Sequence, residues 1–195
     1  MSVLTLGHAN AQVMGLFSAI GAGASVVFFP RFSASNFWKW AAKCGATYVG
    51  MLGAIAEYLW AAEPTEWDKK HSIRTVLAGP SPRNLEEFQN RFNTRVIDGY
   101  GSTEMGMVLW KDPEDQRLGS SGYPMEGYYV ELRNPENTSE VMRPFWDPSE
   151  NPTPPDEAKG LLFIKPLIPH TTLNEYFKDK RRTTEAFDDD GFFNS

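Results

Sequence analysis

The sequence predicts an α/β protein, a parallel sheet flanked by helices followed by a mostly antiparallel β lobe. Three observations carry this. Short apolar runs alternate with amphipathic stretches through the first 110 residues. Those runs are continuously apolar, as expected for strands covered on both faces. After Trp110 the chain becomes glycine- and proline-rich, and apolar residues begin to alternate with polar ones. The expected division is therefore an α/β part, residues 1–110, and a β-rich lobe with a Pro-rich insertion, residues 111–195.

Taken in order, "VMGLFSAI" (Val13 to Ile20) reads as a helix that ends at Gly21 and Gly23. "SVVFF" (Ser25 to Phe29) is a short β-branched and aromatic run stopped by Pro30, and reads as a first buried strand. In "SASNFWKWAAKCGA", Ser35 or Asn36 is positioned to cap a helix. "TYVGML" (Thr47 to Leu52) reads as a strand and "AIAEYLWAA" as the helix after it, before the polar break "EPTEWDKKHS". "RTVLAG" is another strand. "RNLEEFQNRF" is a helix with Leu85, Phe88 and Phe92 on one face and Asn84 at its start, and "RVIDG" is the last strand of the series.

In the second part, Tyr128 to Leu132 and "GLLFIKPL" read as strands, and "EYFKDKRRTTEAFDDDGFF" as a short helix followed by an Asp-Gly turn. Between them "NPENTSEVMRPFWDPSENPTPPDEAKG" (Asn134 to Gly160) is polar and carries five prolines from Pro144 to Pro155, and reads as an irregular surface insertion. No internal repeat is visible.

Composition narrows the functional classes. A formal net charge of −6 provides no basic surface for nucleic acid, and the one dense basic run, "KDKRR" (Lys178 to Arg182), reads as a solvated loop. The single cysteine, Cys44, excludes an intrachain disulfide and points to a reducing intracellular compartment such as the cytoplasm. His8, His71 and His170 lie far apart and lack zinc-ligand spacing. No apolar run is long enough for a transmembrane segment, and no signal-peptide pattern opens the chain.

The chemistry concentrates at "GYGSTE", Gly99 to Glu104, where the strand "RVIDG" ends. In a parallel sheet, ligands bind beyond the carboxyl ends of the strands, and Gly79-Pro80-Ser81 ends a second strand at the same edge. Glycines let the backbone approach a ligand closely. Ser102 and Thr103 offer hydroxyl donors to phosphate oxygens, Tyr100 a flat ring for stacking, and Glu104 a hard oxygen ligand for Mg²⁺. Spacing alone leaves open a second reading, in which Gly-Tyr-Gly-Ser is a plain turn and Glu104 begins a helix, favoured there by the macrodipole.

"YGSTE" resembles the YGxTE signature of the adenylate-forming enzymes, which include acyl- and aryl-CoA ligases, luciferases and the adenylation domains of peptide synthetases. Other segments resemble the same family in the same order. "LTLGHANAQ" is similar to its "PLFH" segment, with His8 at the histidine. "FFPRFSASNFWKWAAKCGATYVGML" and "LAGPSPRNLEEFQNRF" resemble passages of fatty-acid and carnitine-type CoA ligases. "RLGSSGYPMEGYYVEL" resembles "GSVGRPxPGxEVxI", and "EYFKDKRRTTEAFDDDGFFNS" resembles "GYxxxPExTxEAFxxDGWFxTGD".

The resemblance implies ATP and AMP, Mg²⁺ and CoA as reactants, with a small carboxylic acid as substrate. It implies that Ala78, Gly79, Pro80 and Tyr100 flank the adenine. Gly101, Ser102 and Thr103 would lie at the phosphates, with Thr103 and Glu104 catalytic and Glu104 on the metal. His8 and the strand end Val49, Gly50 and Met51 would sit near the acyl group. It also implies that the family's phosphate loop would lie upstream of Met1, and that its ribose-binding aspartate, hinge and small C-terminal domain would follow Ser195. The chain then corresponds to the middle of a larger enzyme, inactive as a ligase by itself, with peripheral membrane association of the whole left open. Departures are Leu161-Leu162 after Gly160 where the family has "GEL", Glu175 at the glycine of its "GY", and Val76 and Leu77 for two glycines at the adenine turn. An amino-acid-activating domain is a second reading, although "GHANAQ" carries no aspartate for a substrate amine. A non-catalytic remnant of the fold is a third.

Overall fold

The computed structural model describes residues 1–112, 114, 115, 117, 119–142 and 159–195. The chain folds into two compact units. One comprises Met1–Gly101 with Leu109–Tyr123, the other Ser102–Val108 with Pro124–Ser195.

In the first unit, β1 (Tyr48–Leu52), β2 (Thr75–Gly79) and β3 (Arg95–Ile97) pair in parallel in that order. Tyr48 stands opposite Thr75 and Thr75 opposite Arg95, while Leu52 meets Gly79 at the carboxyl edge. Side chains alternate across a strand, so Val49, Met51, Val76, Ala78 and Val96 share one face. They bury there against Phe37, Trp38 and Ala41 of α2 (Phe37–Cys44), Ile55 and Leu59 of α3 (Gly53–Ala61), and Phe88 and Phe92 of α4 (Leu85–Phe92). Gly50 faces the other way, with Met14 and Asn10 over it. Helical segments thus cover both faces, as the continuous apolar strands require. Each fully buried aromatic here contributes roughly 1.5–3 kcal/mol of transfer free energy.

The helix ends follow local chemistry. α2 stops at Gly45, whose φ of +63° is the left-handed conformation that glycine tolerates. Asn36 and Asn84 occupy the positions before α2 and α4, yet neither side chain makes a capping hydrogen bond. The polar break holds a 3-10 turn, Glu66–Asp68, closed by a capping box between Thr65 and Asp68. Arg91 of α4 reaches across to it: Nε donates to Asp68 at 2.9 Å, and its terminal nitrogens donate to the Trp60 and Ala62 carbonyls at 2.6 and 2.7 Å. Those are carbonyls at the end of α3 that the helix itself leaves unpaired.

Two expectations are corrected in this unit. "SVVFF" forms no strand and makes only an isolated parallel bridge, Phe28 to Ser2. Phe29 instead stacks on Trp40 with centroids 4.7 Å apart, and that aromatic contact fixes the segment against α2. The helix expected over Val13 to Ile20 is π-helical over Ala11–Phe17 and becomes α-helical only in α1 (Ser18–Gly21). The Ser18 hydroxyl donates to the Val13 carbonyl five residues back, which suits the wider π spacing.

In the second unit an antiparallel sheet runs β10-β9-β7-β8, formed by β7 (Tyr128–Arg133), β8 (Val141–Met142), β9 (Leu161–Pro166) and β10 (Phe193–Asn194). Phe163, Ile164, Phe192 and Phe193 are its buried apolar side chains. Arg133 lies among them, paired with Glu131 and Asp188 at 2.6 Å each and packed over the rings of Phe163 and Phe192. The basic run, read as a loop, opens α5 (Lys180–Glu185), because Asp179 caps it by accepting from the Arg182 N–H. Within the insertion expected to be irregular, Val141 and Met142 instead pair with Arg133 and Leu132 as β8, and its proline-rich part, residues 143–158, lies outside the described residues. A short sheet of β4 (Gly99–Ser102), β5 (Gly106–Trp110) and β6 (Tyr123–Pro124) completes the strands. Among the described residues, no helix is long and apolar enough to cross a membrane.

Candidate active site

The carboxyl edge of the parallel sheet brings two of the expected segments together. Ala78 is buried at the end of β2, whereas Gly79 and Pro80 beyond it are exposed and joined by a cis peptide bond. Asp98, buried after β3, accepts from the Ser81 N–H at 3.0 Å and the Gly99 N–H at 2.7 Å. One carboxylate therefore braces both turns. A Cβ on Gly79 would stand 3.4 Å from the Gly99 carbonyl, so glycine sets how closely the two turns approach. Tyr100 is half-buried and Gly101 exposed on β4.

The next three residues belong to the second unit. Thr103 and Glu104 form the tip of the β4–β5 hairpin, so Glu104 begins no helix. The Ser102 hydroxyl accepts from the Met105 N–H at 3.2 Å, and Gly106 takes φ +68° to re-enter the strand. Thr103 is exposed. Glu104 is half-buried and held at two points. Its carbonyl accepts from the Leu173 N–H at 2.7 Å, and its Oε1 accepts from the Tyr176 hydroxyl at 2.9 Å. Partial desolvation alone would push the Glu104 carboxyl up. Hydrogen bonds from its own backbone N–H, from Tyr176 and from Ser102, with the charge of Arg182, outweigh that and hold it below the ordinary carboxylate value.

This donor set fits Mg²⁺. Among the described residues no three His, Cys, Asp or Glu side chains converge on a point, and Mg²⁺ typically needs only one or two carboxylates plus substrate phosphates. An ionised carboxylate offers about four lone-pair positions, so Glu104 retains coordinating capacity beside its hydrogen bonds.

The expected acyl-side residues separate. His8 is exposed, and its Nδ1 accepts from the Asn10 N–H at 3.1 Å. Asn10 in turn lies over Gly50, where a Cβ would meet its Oδ1 at 3.7 Å. The structure therefore brings Gly50 to the segment that carries His8. It places the side chains of Val49 and Met51 on the opposite, helix-covered face. Asp98 and Tyr176 are site residues that the sequence reading passed over. Asp98 had a local signal, a carboxylate directly before the first glycine of the turn. Tyr176 had none, because it is 72 positions from its partner.

The AMP-binding enzyme family matches residues 1–164. The crotonobetaine/carnitine–CoA ligase of Shigella flexneri serotype 5b (strain 8401) is 27% identical over 199 aligned residues, covering 100% of this chain and 36% of that protein. The ligase of the same name from Escherichia coli O139:H28 is 26% identical with the same coverage. The chain thus spans little more than a third of the curated relatives it matches. Among solved structures, the luciferase-like enzyme of the nonluminescent mealworm Zophobas morio superposes with a TM-score of 0.80 at 20% identity, over 100% of this chain and 44% of that one. An O-succinylbenzoate CoA synthetase from Bacillus subtilis in complex with AMP gives 0.72 at 22%, over 100% and 37%. By that family match, which takes in most of its length, the chain belongs to the AMP-binding enzyme family of adenylate-forming enzymes.

Proposed function

We propose that this chain supplies the adenine-flanking turn and the metal-binding carboxylate of an AMP-forming acid–thiol ligase, acting on a fatty or carnitine-like acid. The observation that carries the reading is the anchored carboxylate of Glu104, directly after Tyr100 and Thr103, in a chain of the AMP-binding family. Ala78, Gly79, Pro80 and Tyr100 flank the adenine. Gly101, Ser102 and Thr103 present backbone donors and Thr103 its hydroxyl to the phosphates, and Glu104 holds Mg²⁺.

In the first step a carboxylate oxygen of the acid bonds to the α-phosphorus of ATP and the bond to pyrophosphate breaks, leaving an acyl-adenylate. In the second, the CoA thiol gives up its proton and attacks the acyl carbon, and AMP leaves. Mg²⁺ supplies charge neutralisation at the phosphates. The carnitine-type relatives support the acid class, and the contact of Gly50 with the His8 segment supports an acyl-facing side there, backed by Val49 and Met51 from the core.

The test is ATP–pyrophosphate exchange with a panel of carboxylic acids, run on the complete ligase that bears this chain. Losing a metal ligand forfeits several kcal/mol of charge stabilisation. Glu104→Ala is therefore expected to slow exchange about a hundredfold or more while the melting temperature holds. Exchange at the normal rate would remove Glu104 from the reaction.

A further inference from the structure

Tyr176 is a residue to which the reaction as described gives no part. Its hydroxyl donates to Glu104 Oε1 at 2.9 Å, and it is itself held from several sides. The Tyr176 N–H donates to Thr183 Oγ1 at 2.9 Å, and the Thr183 hydroxyl donates to the Asp179 carbonyl at the same distance. The Arg182 guanidinium lies over the Tyr176 ring, 4.5 Å from its centroid. Asp179 fixes Arg182 in turn by capping α5. Three residues before Tyr176, Leu173 grips the Glu104 carbonyl. One segment, 173–183, thus holds both the backbone and the side chain of a single glutamate.

We propose that Tyr176 is a positioning residue for adenylation, fixing the Glu104 carboxylate so that its remaining coordinating capacity faces the metal–nucleotide. This rests on the reading of Glu104 as the Mg²⁺ ligand. A free glutamate side chain surrenders up to about 2 kcal/mol of rotamer entropy when it is ordered. A hydroxyl already seated on Oε1 imposes that ordering before the metal arrives. Such outer partners orient metal ligands and typically contribute about 10- to 100-fold in metal affinity. The basic run that opens α5 acquires a purpose by the same argument, since Arg182 keeps the tyrosine ring in place.

The test replaces Mg²⁺ with Mn²⁺ and reads free Mn²⁺ by electron paramagnetic resonance as it is titrated into the protein with ATP. Tyr176→Phe keeps the ring and removes only the donor. It is expected to weaken Mn²⁺ binding about tenfold or more, with metal-free AMP affinity and melting temperature unchanged. Arg182→Met frees the ring but keeps the hydroxyl, and is expected to give a smaller loss in the same direction. Adding Tyr176→Phe to Glu104→Gln should cost nothing further. If Glu104→Gln leaves Mn²⁺ affinity intact, the metal reading fails. If Glu104→Gln weakens it and neither Tyr176→Phe nor Arg182→Met does, the metal reading stands and the positioning role is overturned. Equal losses of metal-free AMP binding and of melting temperature would assign Tyr176 to the fold alone.

Discussion

A single methyl group at Gly53 probes the coupling between α3 and the adenine-flanking turn. A Cβ there would stand 2.7 Å from the Pro80 carbonyl oxygen, and 3.0 and 3.1 Å from its ring carbons. Ordinary contact begins at 3.4 Å, so α3 or the turn must yield by 3.4 − 2.7, about 0.7 Å. Two opposing terms set the sign. Replacing glycine by alanine in a helix is worth roughly 0.5–1 kcal/mol, while overpacking costs roughly 1–3 kcal/mol. Gly53→Ala should therefore destabilise by about 1 kcal/mol, lowering the melting temperature by about 2–4 °C for a chain of this size. The displaced atoms belong to the turn proposed to flank adenine, so AMP affinity should fall as well, by about tenfold for each 1.4 kcal/mol of lost contact. Thermal melts with and without AMP separate the effects, because ligand-induced stabilisation follows the dissociation constant. Gly21→Ala, which meets nothing within 4 Å, is the control and should behave as the unsubstituted protein. If Gly53→Ala melts and responds to AMP as that control does, the turn is not braced by α3 and the argument fails.

Two further outcomes follow from buried charge. Arg133→Met should cost about 3–5 kcal/mol, because Glu131 and Asp188 lose their partner, and hydrogen exchange should show the turn at Asp188 opening first. Unchanged protection there would refute the pairing. His71 stacks on Trp38, and burial pushes its pKa below 6.5 despite the Asp68 carbonyl pulling the other way. The unfolded chain then takes up the proton first as pH falls, so the stability His71 contributes is full above its unfolded value. It drains away as pH drops from about 6.5 toward the lower folded value. His71→Phe keeps the stack, and should flatten that part of the dependence of the urea midpoint on pH. An unaltered slope would count against it.

What the sequence made legible was what repeats at short range. The face of α4 was readable because Leu85, Phe88 and Phe92 recur at helical spacing, and all three are buried. The parallel strands were readable because Val49 to Met51 and Val76 to Ala78 are small or apolar on both sides. "SVVFF" misled because strand propensity describes a surface ready to pair, and only Ser2 pairs with it. The π-helical turn depends on Ser18 reaching back to Val13, a choice no periodicity announces. In the site, the signature hairpin was readable as a turn of special residues. The brace at Asp98 and the clamp at Tyr176 required partners 17 and 72 positions away, beyond the reach of any local pattern.

The pairing of β1, β2 and β3 also limits how this chain can change length. Val76 and Ala78 face α2, α3 and α4 while Leu77, opposite Gly50, faces the other way, and Gly79 follows at the edge. One residue inserted between Thr75 and Gly79 would exchange the two faces and carry the turn about 3.3 Å along the strand axis. No side-chain substitution could compensate both errors at once. Residues along β2 can therefore drift in identity while their number stays fixed. The segment between α3 and β2 is not bound by strand parity, so natural or engineered length variants of this scaffold should gather there.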